Sequence, residues 1–191
     1  MKIMRNIAIF ASGNGTNAEN ISRYFVSSDA IQVALVLSNH AKAGVHARVQ
    51  ALGVPSFSFP KEAFADGGPI LEQLQAYEVE YIVLAGFMNK IPDRLLAAFP
   101  DRIINIHPAL LPKYGGKGMY GMHVHEAVVA AHEKESGITI HLVNAHYDEG
   151  RILFQAACPI DPQDTPEEVA AKVHALEYRY YPEVIQQWIC P

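Results

Sequence analysis

Short, near-continuous aliphatic runs at residues 6–11, 32–37, 81–86 and 102–105 are separated by stretches of helical periodicity, and this alternation constrains the fold most. A strand with one face in water alternates polar and apolar residues. These runs do not alternate, so both of their faces must be covered. A shorter strand is expected at 54–57. Helices are expected from near Asn17, over 41–52 up to Gly53, over about 69–77 and after Pro92. Right-handed crossovers then give a doubly wound α/β fold, a mostly parallel sheet with helices on both faces.

The second part of the chain changes pattern. A helix at 121–132 precedes two apolar strands at 138–143 and 152–156. Only a turn around Asp148-Glu149-Gly150 joins the two strands, too short for a helical crossover, so they should pair antiparallel toward the C-terminus. Thr165-Pro166-Glu167-Glu168 opens the last helix with an N-cap residue, a first-turn proline and acids at the positive end, and that helix should reach about Trp188. With no internal repeat, low-complexity tract or linker, residues 1–191 read as a single domain.

Charge narrows the function. Fifteen Lys and Arg against 20 Asp and Glu leave −5, so no basic surplus points to nucleic acid or an anionic membrane. The two cysteines, Cys158 and Cys190, lack metal-type spacing and argue for a reducing, cytoplasmic setting. Residues 1–10 carry Lys2 and Arg5 but too short an apolar run for a signal peptide, and fit the first strand better. No run approaches a membrane span.

Ser12-Gly13-Asn14-Gly15-Thr16-Asn17 joins the first strand to the first helix. Glycines let the main chain approach a ligand closely, and a helix N-terminus offers free N–H groups to an anion. The segment also fits G-x-G-x-x-A, but a dinucleotide site expects an acid at the end of the second strand. Leu37-Ser38-Asn39 supplies none, so a phosphate monoester fits better. The bland alternative is a tight turn capped by Asn17, with no ligand.

Asn105-Ile106-His107-Pro108-Ala109-Leu110-Leu111-Pro112 follows the carboxyl end of a strand, where open α/β sheets bind their ligands. Strand alternation puts Asn105 and His107 on one side, and Pro108 and Pro112 stiffen the backbone beyond them. An amide donor beside an imidazole suits oxyanion stabilisation with proton transfer. Taken alone, the pair could equally satisfy a strand end. His123-Val124-His125 invites a metal reading, but positions i and i+2 do not share a helical face, and no metal is expected. Tyr178, Tyr180, Tyr181 and Trp188 read as packing residues of the last helix.

These segments in this order resemble the folate-dependent formyltransferases. The likeness rests on Ser12–Asn17, Leu84-Ala85-Gly86-Phe87-Met88, Asn105–Pro108 with Leu110-Leu111-Pro112, and Tyr147-Asp148-Glu149-Gly150, and continues to Glu177 and Pro182. Within that family it is similar to the branch of purine biosynthesis whose acceptor is the glycine amine of 5-phosphoribosylglycinamide. The resemblance implies the formyltransferase fold and direct transfer from 10-formyltetrahydrofolate as cosubstrate. Asn105 and His107 would stabilise the oxyanion, and Asp148 would orient His107, raise its pKa and help move the proton. Gly15, Thr16 and Asn17 would hold the phosphate and Glu177 the ribose or glycinamide portion. Met88, Asn89, Lys90 and Ile91, with Asn105, Asn144, Ala145, His146, Tyr147 and Asp148, would line the folate pocket, and Lys61 would meet its glutamate tail. His123 would approach the site and His125 would be structural. The partners implied are small molecules, with a weak homodimer admitted and neither nucleic acid nor membrane.

The chain departs from the commonest family pattern in its longer glycine-rich loop at 114–123, in Arg151 where proline is usual, and in His174 at an expected polar or basic contact. Two other functions compete: a related formyltransferase or formyl-folate hydrolase with another acceptor, and a non-catalytic phosphate-binding module. The second leaves Asn105, His107 and Asp148 unexplained.

Overall fold

The computed structural model describes residues 4–191, so the part of the expected N-terminal segment at 1–3 lies outside the described residues. The elements run β1 (Arg5–Phe10), α1 (Thr16–Phe25), β2 (Ile31–Ser38), α2 (Gly44–Gln50), β3 (Ser56–Ser58), α3 (Lys61–Asp66), α4 (Gly68–Ala76), β4 (Tyr81–Leu84), α5 (Asp93–Ala98), β5 (Ile103–His107), α6 (Met122–Ala130), β6 (Glu135–Leu142), β7 (Ile152–Pro159) and α7 (Pro166–Ile189). The strands follow the order β3-β2-β1-β4-β5-β6-β7. Among the described residues no helix is long and apolar enough to cross a membrane.

The described residues gather into two compact units, residues 4–104 with 186–191, and residues 105–185. In the first, β1 pairs in parallel with both β2 and β4, and β2 with β3. The aliphatic residues of these runs are buried, and Ile7, Ile9, Leu35 and Ile82 are wholly inaccessible. Each such side chain contributes roughly 1.5–3 kcal/mol relative to exposure. Phe10, Phe59, Phe64 and Phe87 form one aromatic cluster, with ring centroids 4.9–6.4 Å apart.

Helix α2 is shorter than its sequence pattern. The backbone makes a turn at 40–43, with the Ala43 N–H donating to His40 O, and the Val45 N–H donates to Gly13 O. Helix α3 was not expected, because six residues are too few to show a periodic stripe.

In the second unit β6 and β7 are antiparallel, Ile138 opposite Ala156 and Ile140 opposite Phe154. Strand β6 begins three residues earlier than its aliphatic run suggests, because Glu135, Ser136 and Gly137 pair with the far end of β7. Gly137 permits this approach, since a Cβ there would lie 2.0 Å from the Ala156 carbonyl oxygen. Helix α7 opens on a reciprocal capping box: the Glu168 N–H donates to Thr165 Oγ1 (3.3 Å) and the Thr165 N–H to Glu168 Oε2 (2.8 Å). Its inner face buries Val169, Val173, Tyr181 and Ile185.

Candidate active site

The second unit builds a polar cluster at the end of β5. Asn105 and His107 do share a side of the strand. His107 is 3% exposed, and its Nε2–H donates to the Tyr114 carbonyl at 2.7 Å. That bond leaves Nδ1 of the neutral ring as an acceptor, 3.6 Å from Asp148 Oδ2. Asp148 sits in the β6–β7 turn with φ 56, and its Oδ2 accepts the Gly116 N–H at 2.9 Å. Gly150 allows the turn to fold onto β6, because a Cβ there would meet the Leu142 carbonyl oxygen at 1.6 Å.

A further histidine completes the cluster. His141 is buried on β6, where the β6–β7 register shifts between Ile140 and His141. Its Nδ1–H donates to Leu142 O at 2.9 Å, which leaves Nε2 to accept from Asn105 Nδ2 at 3.2 Å. That contact orients the Asn105 amide. His141 Nε2 also lies 3.6 Å from Asp148 Oδ1, so the carboxylate presents one oxygen to each ring at ion-pair distance. The sequence reading missed His141. The signal was its polar ring within the apolar run Ile138-Thr139-Ile140-His141-Leu142, though the register shift that aims it is not visible in sequence.

The chain after His107 is clamped from β6 and β7. Thr139 Oγ1 donates to Ala109 O (2.7 Å) and accepts the Leu111 N–H (3.0 Å), while Gln155 Nε2 donates to Leu111 O (3.0 Å). The Leu111–Pro112 bond within this clamp is cis.

Burial pushes the His107 imidazole below its ordinary value; Asp148 and the Tyr114 carbonyl pull upward and do not overcome it. The direction of the Asp148 influence is as expected, but the resting ring is neutral, not an imidazolium. Burial also pushes the Asp148 carboxyl upward, and there the His141 and His107 rings with the Gly116 N–H prevail and hold it below its usual range. The resting pair is a neutral imidazole beside an anionic carboxylate.

Glu177, 4% exposed on α7, accepts a hydrogen bond from His174 Nδ1 at 2.8 Å, and its charge acts on His107. His174, the departure noted in sequence, is thereby a partner of Glu177. The two histidines of His123-Val124-His125 differ in burial. His123 is exposed against Glu126, whereas His125 is 2% exposed, its ring centroid 6.4 Å from that of His174, and burial pushes its imidazole below the ordinary value.

The first unit holds the glycine-rich turn. Gly15, not Asn17, is the N-cap of α1, with φ 75, so Thr16 and Asn17 are the first helical residues. The Ser12 N–H donates to Gly86 O (3.1 Å) and the Met88 N–H to Ser12 Oγ (3.0 Å), tying the turn to the segment at 86–91. There Met88 and Lys90 are exposed, Asn89 accepts from Asn39 Nδ2 (3.2 Å), and Ile91 is buried. Lys61 is exposed at the start of α3, whose Phe64 ring meets that of Phe87 at 5.3 Å. In the second unit Asn144, Ala145, His146 and Tyr147 are exposed ahead of Asp148, with the His146 N–H donating to Asn144 Oδ1 (2.8 Å).

The family described as formyl transferase matches residues 5–185. The chloroplastic phosphoribosylglycinamide formyltransferase of Arabidopsis thaliana is 42% identical over 190 residues, covering 95% of this chain and 64% of that protein. The phosphoribosylglycinamide formyltransferase of Bacillus subtilis (strain 168) is 40% identical over 189 residues, covering 96% and 94%. The crystal structure of glycinamide ribonucleotide transformylase 1 from Symbiobacterium toebii matches with a TM-score of 0.90 and 35% identity, over 97% of this chain and 88% of that one. The chain thus spans less than two thirds of its plant relatives, 60% in that of Vigna unguiculata, and nearly all of the Bacillus one.

Proposed function

The chain belongs to the formyl transferase family, and from that premise we propose that it transfers the formyl group of 10-formyltetrahydrofolate to the glycine amine of 5-phosphoribosylglycinamide. The observation that carries the reading is the cluster of Asn105, His107, His141 and Asp148. In this reading the amine attacks the formyl carbon, the carbonyl π pair moves onto oxygen, and a tetrahedral oxyanion forms. Asn105, whose amide His141 orients, donates an N–H to that oxyanion. His107 begins neutral and takes the proton of the attacking amine at Nδ1. The imidazolium so formed lies 3.6 Å from the Asp148 carboxylate, which stabilises it until the oxyanion re-forms the carbonyl, the bond from the formyl carbon to the folate nitrogen breaks, and the proton passes to that nitrogen.

Gly15, Thr16 and Asn17 hold the phosphate at the N-terminus of α1, and Glu177 the ribose or glycinamide portion. The folate is assigned to Met88–Ile91 and residues 144–148, with Lys61 toward its glutamate tail. Both compact units serve one formyltransferase domain, a reading supported by a family match that runs across their boundary. Small molecules as partners, a weak homodimer at most, and a cytoplasmic setting complete the proposal, the last resting on two free cysteines. The test is a formyl-transfer assay with purified protein, offering 5-phosphoribosylglycinamide, its dephosphorylated form, methionyl-tRNA and water as acceptors. Formylation of the phosphorylated glycinamide with a marked preference bears the proposal out; preference for any other acceptor overturns it.

A further inference from the structure

The glycine-rich turn is held from α2, and the contacts are specific. The Val45 N–H donates to Gly13 O at 3.2 Å, and the Val45 side chain fills the space where a Gly15 Cβ would stand, 2.4 Å away. One helical turn later, Arg48 Nε–H donates to Asn14 O at 2.8 Å. The Gly15 carbonyl accepts the Glu19 N–H at 2.9 Å within α1. The Gly13, Asn14 and Gly15 carbonyls are therefore each committed to a donor. A backbone so fixed offers its N–H groups to an anion without competition from its own lone pairs.

Charge raises a difficulty that Arg48 also resolves. Glu19 lies in the first turn of α1, where its carboxylate draws on the same positive end that a bound phosphate needs. Arg48 Nη1 binds Glu19 Oε2 at 2.6 Å, and Arg23 Nη2 binds Oε1 at 2.9 Å. Both oxygens of the acid are thus engaged by cations.

We infer that Arg48 is a positioning residue for phosphate recognition: its guanidinium fixes the glycine turn through the Asn14 carbonyl and neutralises the acid beside it. Arg48 touches no reacting atom, and the inference rests on the assignment of a phosphate to the Gly15–Asn17 turn. A methionine keeps the aliphatic stem of arginine and removes both the N–H fork and the charge. The discriminating quantity is the ratio of kcat/KM for 5-phosphoribosylglycinamide to that for its dephosphorylated form.

In R48M this ratio should fall about tenfold, the worth of one charge-assisted hydrogen bond. The fall should reside in KM for the phosphorylated acceptor, with the KM for the folate unmoved. R48K keeps a cation for Glu19 without the fork and should recover part of the loss. An R48M ratio equal to that of the unaltered enzyme overturns the inference while the phosphate reading stands. Equal rises in both KM values together with a lowered Tm, in R48M and R48K alike, also overturn it, since Arg48 would then only support the fold. A ratio near one in the unaltered enzyme is a different failure: the phosphate assignment itself would be wrong.

Discussion

His107 Nδ1 and Asp148 Oδ2 face each other across 3.6 Å, two acceptors with no proton between them while the ring is neutral. A proton arriving at Nδ1 turns this arrangement into an ion pair in a largely buried site, where such an attraction is far stronger than in water. Asp148 thus stabilises the ring once protonated while burial keeps it neutral at rest, which suits a base better than a standing cation.

The Asp148 influence can be measured directly. D148N keeps an acceptor for the Gly116 N–H and removes the charge. Burial already sets the His107 pKa below its ordinary value against the pull of Asp148, so the substitution should lower it further. Following the ring by NMR across pH checks the direction, and turnover should fall in parallel. An unchanged pKa with lost activity would show that Asp148 acts by shaping the turn.

Asn105 and His141 should behave as a unit. N105A removes one oxyanion donor and should lower kcat by about two to three powers of ten. H141F removes the acceptor that orients the amide, together with the ring nitrogens that face Asp148 and Leu142 O; it should lower kcat less than N105A and leave both KM values near those of the unaltered enzyme. In the double variant the two losses should not add, because H141F has nothing left to misorient. Single-turnover kinetics on the three proteins decides it, and simple additivity would separate His141 from Asn105.

The parallel half of the fold was legible because strands buried on both faces leave unbroken aliphatic runs, as at 6–11 and 32–37. The antiparallel pair was legible because its connection is too short for a helix. What escaped reading depends on contacts distant in sequence. Gly137 reads as a break, yet it lies inside β6 because it must meet Ala156. His141 turns toward Asn105 at a register shift set by β7. Burial, which decides the resting charge of His107, is a property of the packed molecule and not of the residue.

The glycine turn needs a gentler probe than a bulky residue. At Gly15 the φ of 75 and the Val45 contact mean that G15V should lower Tm by distorting the α1–α2 packing, which would obscure any effect on phosphate. T16V is nearly isosteric and removes one hydroxyl at the start of α1. It should raise the KM for 5-phosphoribosylglycinamide more than that for the folate, with Tm nearly unchanged. Thermal melts alongside initial rates on both variants test the contrast.

Stability should depend on pH through the buried histidines. His107 and His125 are both buried, and burial is the largest cause that lowers each below the ordinary value of 6.5. Above 6.5 neither ring is mostly protonated in the folded or the unfolded chain, so neither contributes a pH dependence. As pH falls below 6.5, the unfolded chain binds protons that the folded rings still refuse, and stability must drop until the folded pKa values are passed. His174 acts in the opposite sense, its pKa raised by Glu177: its contribution is full below 6.5 and is lost as pH rises through the folded value. That ring is half exposed and its ion pair is screened, so the two buried rings should dominate. Asp148, held below 3.8, loses its contribution only in a lower window and does not confuse the first. Tm should therefore fall as pH is lowered from 6.5 toward 5. H125L should flatten that fall relative to the unaltered protein, even if its Tm at pH 7.5 is lower. Calorimetry at several pH values on the two proteins provides the test. An identical slope in both would mean that His125 accepts its proton in the folded state as readily as in the unfolded one.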